Sequence, residues 1–163
     1  MHRFVRGALL VLLVLGLGAA AGPAAHAQRT SGAVGLGGQL GDPSGITLKV
    51  YNADAPSYDV LAAWSGLDDF FFLNGHALFE NRLPAENVDQ PLQWFLGPGA
   101  FIGTFERGGA QTDTVVFGIS GTGGLQILLA EHFEIYLQAT PRFSLAPETD
   151  ASLGGGLGFR YYF

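Results

Sequence analysis

The last segment of the chain alternates apolar residues with small or polar ones at a period of two. Between Ser152 and Phe163 the odd positions are Leu, Gly, Leu, Phe, Tyr and Phe, and the even positions are Ser, Gly, Gly, Gly, Arg and Tyr. Successive side chains of a β-strand point to opposite faces, so this pattern predicts a strand with one apolar face. Chains of soluble proteins usually end in frayed, polar residues. We therefore interpret the segment as a membrane-spanning strand.

Seven earlier segments repeat this alternation, separated by stretches in which the turn-forming residues Gly, Pro, Asn and Asp dominate. We predict strands over residues 33–40, 46–51, 58–65, 70–82, 92–106, 114–130 and 133–145. The first three are short, because a membrane-spanning strand needs about 9–11 residues, and we expect them to extend into their turns. The fifth is less regular, since Phe95 and Phe101 lie opposite its other apolar positions. Pro141 lacks an amide hydrogen, which predicts a β-bulge or a local break in the ladder.

The first 27 residues have the organisation of a secretory signal peptide. Arg3 and Arg6 precede a short apolar run, and small residues follow, ending in the A-x-A motif at Ala27, after which we expect cleavage. The chain has no cysteine, which excludes a lipoprotein anchor. Two of its 8 lysines and arginines lie in this leader, so the exported part is strongly acidic with 14 Asp and Glu residues. An acidic chain argues against a nucleic-acid partner.

Eight antiparallel strands in lipid must close on themselves, since an open sheet edge leaves backbone groups without hydrogen-bond partners. The composition agrees, with charged residues at 13% of the chain, aromatic residues at 12% and 25 glycines, where soluble domains carry about 25% charged residues. The predicted fold is all-β: a closed eight-stranded antiparallel up-and-down transmembrane β-barrel over residues 28–163. The even strand number puts both termini on one side, which for an exported bacterial barrel is the periplasm.

The leader, the eight alternating strands and the terminal sequence "FRYYF" together resemble the small eight-stranded outer-membrane β-barrel proteins of the OmpA/OmpX type. The resemblance implies a monomer surrounded by outer-membrane lipid and lipopolysaccharide. It also implies an assembly signal in the last strand, read by the barrel-assembly machinery, with periplasmic chaperones as further partners. The residues at the signal positions are Leu157, Phe159, Tyr161 and Phe163.

The inward-facing positions of the predicted barrel include three basic and three acidic side chains. They are Lys49, Arg142 and Arg160, with Asp59, Glu80 and Glu134. Eight strands enclose a bore that side chains can just fill, and buried charges need partners. We therefore expect an ion-pair network that plugs a polar lumen, and a structural, envelope-supporting role without catalysis rather than an ion path.

Aromatic residues fall near the predicted strand ends, where the two membrane interfaces lie. Tyr58, Trp94 and Phe133 fall at the predicted periplasmic ends, and Trp64 and Phe143 at the outer ends. Aromatic residues that only filled a soluble core would have no reason to sort in this way.

Two other functions stay open. A lipid-modifying outer-membrane enzyme would use a serine, a histidine and an acid, for which Ser65, His76 and Glu80 are the candidates, while His132 is assigned to a solvated turn. A secreted soluble barrel would instead carry an apolar ligand, with apolar residues inward and polar residues outward.

The sequence predicts no cofactor and no resident metal site. Acidic pairs in the outward turns, Asp68–Asp69 and Glu148 with Asp150, are expected to be solvated. A divalent cation shared between these carboxylates and anionic lipopolysaccharide is the alternative that the sequence leaves open.

Overall fold

The regular structure of the described residues consists of β-strands. A computed structural model describes residues 29–54, 56–65, 70–84, 92–106, 113–129 and 132–163. The strands are Val34–Asp42 (β1), Gly45–Val50 (β2), Ser57–Ser65 (β3), Phe70–Arg82 (β4), Leu92–Glu106 (β5), Asp113–Leu129 (β6), Phe133–Ala146 (β7) and Asp150–Tyr162 (β8). No helix among these residues has the length and hydrophobicity of a transmembrane span. The predicted signal peptide, residues 1–27, and Asp68–Asp69 lie outside the described residues.

The eight strands form a closed antiparallel barrel in which each strand pairs with its neighbours in sequence. Closure is made by β1 and β8, whose register sets Gly37 opposite Arg160 and Gly35 opposite Tyr162. The predicted eight-stranded up-and-down barrel is thus confirmed. The start of β1 and the end of β8 define one end of the barrel, the terminal end. The turns after β1 and β7 lie at the opposite, distal end.

Side chains alternate between the outside and the interior of the barrel. On β8, Leu157 and Phe159 are 54% and 42% exposed, whereas Arg160 and Tyr162 are 1% and 2% exposed. Large apolar side chains form a belt around the outside, and buried charged and amide side chains lie within. This is the sidedness that the alternation predicts.

The interior is mixed rather than wholly polar, which corrects the expectation of a polar lumen. The rings of Phe72 and Phe101 stack with centroids 5.6 Å apart, and Phe95 packs with Leu78 and Tyr136 in a second cluster. The bore has to be filled by side chains. Apolar rings fill volume without requiring hydrogen-bond partners, which explains their use where the ion pairs do not reach.

Glycines on β6 and β8 make room for these inward rings. A Cβ atom at Gly124 would meet both the backbone of Leu137 and the ring of Phe95, and a Cβ at Gly158 would overlap the ring of Tyr136. The glycine-rich stretches therefore allow neighbouring strands and large inward side chains to approach closely.

The second strand is shorter than expected. It spans Gly45–Val50, only six residues, gaining Gly45 from the preceding turn but ending one residue before the predicted end. Beyond it, the Gly32 amide donates to the Tyr51 carbonyl at 2.7 Å, and the Tyr51 amide donates to the Ala33 carbonyl at 2.9 Å. Backbone groups at this end are thus satisfied by pairing with the residues before β1, without a regular strand.

Pro141 breaks one ladder locally but causes no bulge. It pairs with Leu153 of β8 in an unshifted register, whereas the ladder between β6 and β7 skips it. The register shift between these two strands lies instead at Phe117/Gly118. Proline lacks the backbone N–H donor, so only the pairing with the neighbouring strand that its nitrogen faces is interrupted. The strand therefore stays in register.

Candidate functional site in the barrel interior

Glu134 is the centre of an ion-pair network inside the barrel. It is 0% exposed. Its Oε1 lies 2.8 Å from Arg160 Nη1, and its Oε2 lies 3.3 Å from Lys49 Nζ and also pairs with Arg29 Nη1. The Tyr162 hydroxyl donates to Glu134 Oε2 at 3.0 Å. One carboxylate thus shares its charge among three cations and a phenol.

Two further carboxylates complete the network. Glu80 Oε1 lies 3.0 Å from Lys49 Nζ, and Glu80 Oε2 lies 3.2 Å from Arg29 Nη2. Asp59 Oδ2 lies 2.9 Å from Arg160 Nη2. Three carboxylates therefore face three cations, and this balance is what buried ionic groups require to avoid the cost of an unpaired charge.

Arg29 is the member of the network that the sequence analysis missed. It precedes β1, yet its side chain is buried in the barrel, where Nη2 also donates to Gln93 Oε1 at 2.8 Å. Its guanidinium lies 4.4 Å from the ring centroid of Tyr51. Burial lowers the pKa of Arg29, but Glu134, Tyr162 and Glu80 raise it more, so the net pKa lies above the ordinary value. Its position, two residues beyond the expected cleavage point, was the one sequence feature that placed Arg29 in the exported part of the chain.

Arg142 does not join the other predicted network residues. Its Nη2 lies 3.4 Å from Asp42 Oδ2 near the distal end, and its guanidinium lies 5.3 Å from the ring centroid of Phe72. The structure thus brings together Lys49, Asp59, Glu80, Glu134 and Arg160, with Arg29 in the position that the sequence analysis gave to Arg142.

A chain of hydrogen bonds leads from the network to the middle of the barrel. His76 Nδ1 lies 3.1 Å from Asp59 Oδ1, and His76 Nε2 lies 3.2 Å from Ser120 Oγ. The Ser120 hydroxyl donates to Asn74 Oδ1 at 2.9 Å. All four residues are buried. Asp59 and His76 meet because they are direct partners in the register of β3 and β4.

Two of the enzymatic candidates named from the sequence, His76 and Glu80, have other partners among the described residues. Glu80 pairs with cations of the network, and His76 contacts Asp59 instead. The side chain of Ser65 lies outside the described atoms. His132 is exposed and stacks on Tyr161, with ring centroids 5.6 Å apart.

Cavities open at both ends of the filled interior. The distal vestibule, of about 400 Å³, is lined by Phe70, Phe72, Phe101, Val116, Arg142 and Asp42 among others. The terminal vestibule, also of about 400 Å³, is lined by residues that include Tyr51, Asn52, Phe79, Glu80 and Gln93. Neither cavity is lined by Ser120, His76 or Asp59. Across the described ranges, no group of three or more His, Asp or Glu side chains is placed to hold a metal ion.

The aromatic residues assigned to the membrane interfaces lie near strand ends. Tyr58 and Trp94 are exposed near the terminal end, and Trp64 and Phe143 are exposed toward the distal end. Phe133 is half-buried at the start of β7.

The residues named as the assembly signal lie on β8 and just after it. Leu157, Phe159 and Tyr161 point outward, and the Phe163 amide donates to the Val34 carbonyl at 3.1 Å. Tyr161 and Phe163 meet edge to face, with ring centroids 5.3 Å apart. The last residue is therefore held at the seam between the first and last strands.

A closed barrel with an apolar outside and a filled interior has the fold of the small eight-stranded outer-membrane β-barrels of the OmpA/OmpX type. The N-terminal β-barrel domain of Pseudomonas aeruginosa OprF is similar in structure, with a TM-score of 0.53 and 14% identity over 80% of this chain and 96% of that chain. At this identity the similarity shows the fold alone.

Two more distant structures are Neisserial surface protein A and Ail, the attachment invasion locus protein of Yersinia pestis. The first has a TM-score of 0.42 and 12% identity over 80% of this chain and 94% of that chain. The second has a TM-score of 0.37 and 15% identity over 80% and 94%. No protein-family model matches the sequence, and no curated protein is significantly similar to it.

Proposed function

We propose that this protein is a structural component of a bacterial outer membrane, exported by the leader at residues 1–27 and inserted as a monomer with both termini in the periplasm. The observation that carries the proposal is the separation of side chains into an apolar outer belt and paired charges inside. Hydrocarbon chains solvate the belt, whereas the ionic groups would be costly anywhere but in the interior. Lipid and lipopolysaccharide are then its surroundings.

Fractionation and gel migration test the membrane location. We expect the native protein in the outer-membrane fraction, and unheated samples to migrate differently from boiled ones because the closed barrel resists detergent. Recovery of the native protein from the aqueous fraction would contradict the proposal and favour the soluble ligand-binding barrel. A protease site at either terminus, cut only after the outer membrane is permeabilised, tests the periplasmic orientation.

The proposed lumen is plugged rather than open. The side chains of Lys49, Glu134 and Arg160 are at most 1% exposed and meet across the bore. Removing any one of them leaves a buried charge without its partner, so the network resists opening. We expect the refolded barrel in a planar lipid bilayer to show no stable conductance steps. Large, long-lived channels in the wild-type protein would contradict the plug.

A second candidate function is hydrolysis by Ser120. The contacts from Ser120 to His76 and from His76 to Asp59 have the connectivity of a serine hydrolase triad. A hydroxyl has one proton, however, and a Ser120 that donates to Asn74 cannot also donate to His76. Burial of all these groups also leaves a substrate without access, which is why we favour the non-catalytic role.

A fluorophosphonate probe distinguishes these two candidates. Covalent labelling of the folded wild-type protein, lost in Ser120→Ala, would support the hydrolase and contradict the non-catalytic proposal. We expect no labelling of the folded barrel. Ser152→Ala, at an exposed position on β8, is the matched control.

A further inference from the structure

The distal vestibule contains a buried cation that is incompletely partnered. The Arg142 side chain is 10% exposed, and its Nε atom is buried without a hydrogen-bond partner. Among the described residues its one ion pair, from Nη2 to Asp42 Oδ2, is long at 3.4 Å, and the Asp42 side chain is 75% exposed. A buried donor left without an acceptor is costly, so this site is suited to receive one from a ligand.

One wall of the same cavity is apolar and partly aromatic. Phe70, Phe72, Phe101 and Val116 line it, and the first three rings form consecutive stacks, at 6.3 Å between Phe70 and Phe72 and 5.6 Å between Phe72 and Phe101. A volume of about 400 Å³ falls in the range of small-molecule sites. The rest of the lining is mostly polar, with the Arg142 cation beside Asp42, Thr114, Ser144, Glu148, Asp150 and Ser152. An apolar wall facing a few polar groups is the usual composition of such a site.

We propose that the distal vestibule binds a small amphipathic molecule with a single anionic group and a flat apolar body. The anionic group accepts hydrogen bonds from Arg142 and displaces the exposed carboxylate of Asp42. The apolar body lies against the stacked rings of Phe70, Phe72 and Phe101. This inference does not depend on the outer-membrane role proposed above.

The charge around the cavity narrows the ligand class. Asp42, Glu148 and Asp150 also line the vestibule, and Asp42 and Asp150 are exposed. A second negative charge on the ligand would meet these carboxylates at close range, which disfavours polyanions such as phosphorylated glycolipids. A purely cationic ligand would leave the buried Arg142 donor unsatisfied. A monoanion is therefore the species that the site favours.

Ligand binding can be observed directly at the anchoring side chain. The probe is indole-3-acetate, a flat monoanion, compared with its neutral analogue indole-3-ethanol and its cationic analogue tryptamine. Titration into ¹⁵N-labelled barrel in zwitterionic detergent, followed by the NMR signals of arginine Nε–H groups, should shift the Arg142 signal saturably with the anion. We expect roughly tenfold weaker binding of the neutral analogue, and no saturable shift with the cation. Arg82, exposed at the terminal end, supplies the reference signal.

Two variants decide the proposal. Asp42→Asn removes the competing carboxylate and should tighten binding of indole-3-acetate several-fold, whereas Arg142→Gln should abolish it. If Arg142→Gln fails to fold, the comparison of the three ligands on wild-type and Asp42→Asn protein still tests the idea. Equal affinity for the anion and the neutral analogue, weaker binding in Asp42→Asn, or an Arg142 signal unmoved at millimolar ligand would each overturn it.

Discussion

Glu134 Oε1 and Arg160 Nη1 lie 2.8 Å apart as direct cross-strand partners on β7 and β8, and neither residue is more than 1% exposed. Charge-assisted hydrogen bonds of this length are among the stronger polar contacts in proteins. Arg160 also contacts Asp59 on β3, and Glu134 also contacts Lys49 on β2. The pair therefore joins opposite sides of the barrel through its axis.

Replacing Glu134 with Gln should destabilise the barrel strongly. The substitution keeps the volume but leaves three buried cations facing two carboxylates. We expect the free energy of unfolding to fall by about 3–5 kcal/mol, the cost of breaking a buried ion pair. Urea titrations of the protein in lipid vesicles, followed by tryptophan fluorescence, measure this change. Asp54→Asn, at an exposed position, is the control and should change the free energy by less than about 0.5 kcal/mol. Equal losses in both variants would argue against the network.

Replacing Arg29 with Ala should loosen the terminal end of the plug. The variant removes contacts to Glu134, Glu80 and Gln93 at once. We expect brief conductance steps in planar bilayers and a free energy of unfolding lower by about 3 kcal/mol. Arg82→Ala, exposed at the same end, is the matched control and should remain silent. An Arg29→Ala barrel with no conductance steps and an unchanged free energy of unfolding would show that Arg29 is not needed for the plug.

Two glycines on β6 should respond differently to the same substitution. Gly124→Ala places a methyl group against the Leu137 backbone and the Phe95 ring, whereas Gly121→Ala meets only ordinary contact distances. Overpacking in a filled interior costs about 1–3 kcal/mol, so Gly124→Ala should unfold at lower urea concentration. Gly121→Ala should match the wild type. The reverse order would refute a spacing role for Gly124.

Removing the terminal aromatic side chain should impair assembly more than stability. If Leu157, Phe159, Tyr161 and Phe163 form the proposed assembly signal, Phe163→Ala should reduce the folded barrel recovered from cells several-fold. The same variant refolded in vitro should keep its urea midpoint, because Phe163 is 79% exposed. Phe143→Ala, an exposed aromatic within a strand, controls for the loss of apolar surface. Equal recovery of the two variants would contradict a specific role for the last residue.

The architecture was readable from the sequence because period-two alternation is a local property. It fixes which side chains of β8 turn inward. Arg160 and Tyr162 point into the barrel, whereas Leu157 and Phe159 point outward. Closure then follows from the cost of an open edge. The irregular fifth strand was also informative, since Phe95 and Phe101 do point inward and fill the bore.

Contacts across the bore could not be predicted from the alternation. Which residues meet inside a barrel depends on the stagger of the strands, which alternation does not specify. The exchange of Arg142 for Arg29 in the network illustrates this, because Arg142 on β7 lies near the distal end, whereas Arg29, which precedes β1, pairs with Glu80 and Glu134. The link from His76 to Ser120 likewise joins β4 to β6 across the inside, 44 residues apart in sequence.

The seam between β1 and β8 has a consequence for biogenesis. Val34 on β1 accepts a hydrogen bond from Phe163, just after β8, and Arg29 pairs with Glu134, 105 residues later in the sequence. No fragment released early during synthesis contains both halves of these contacts. Closure of the barrel therefore waits until β8 has been synthesised, and a chain truncated before β8 should be left with open strand edges and be degraded.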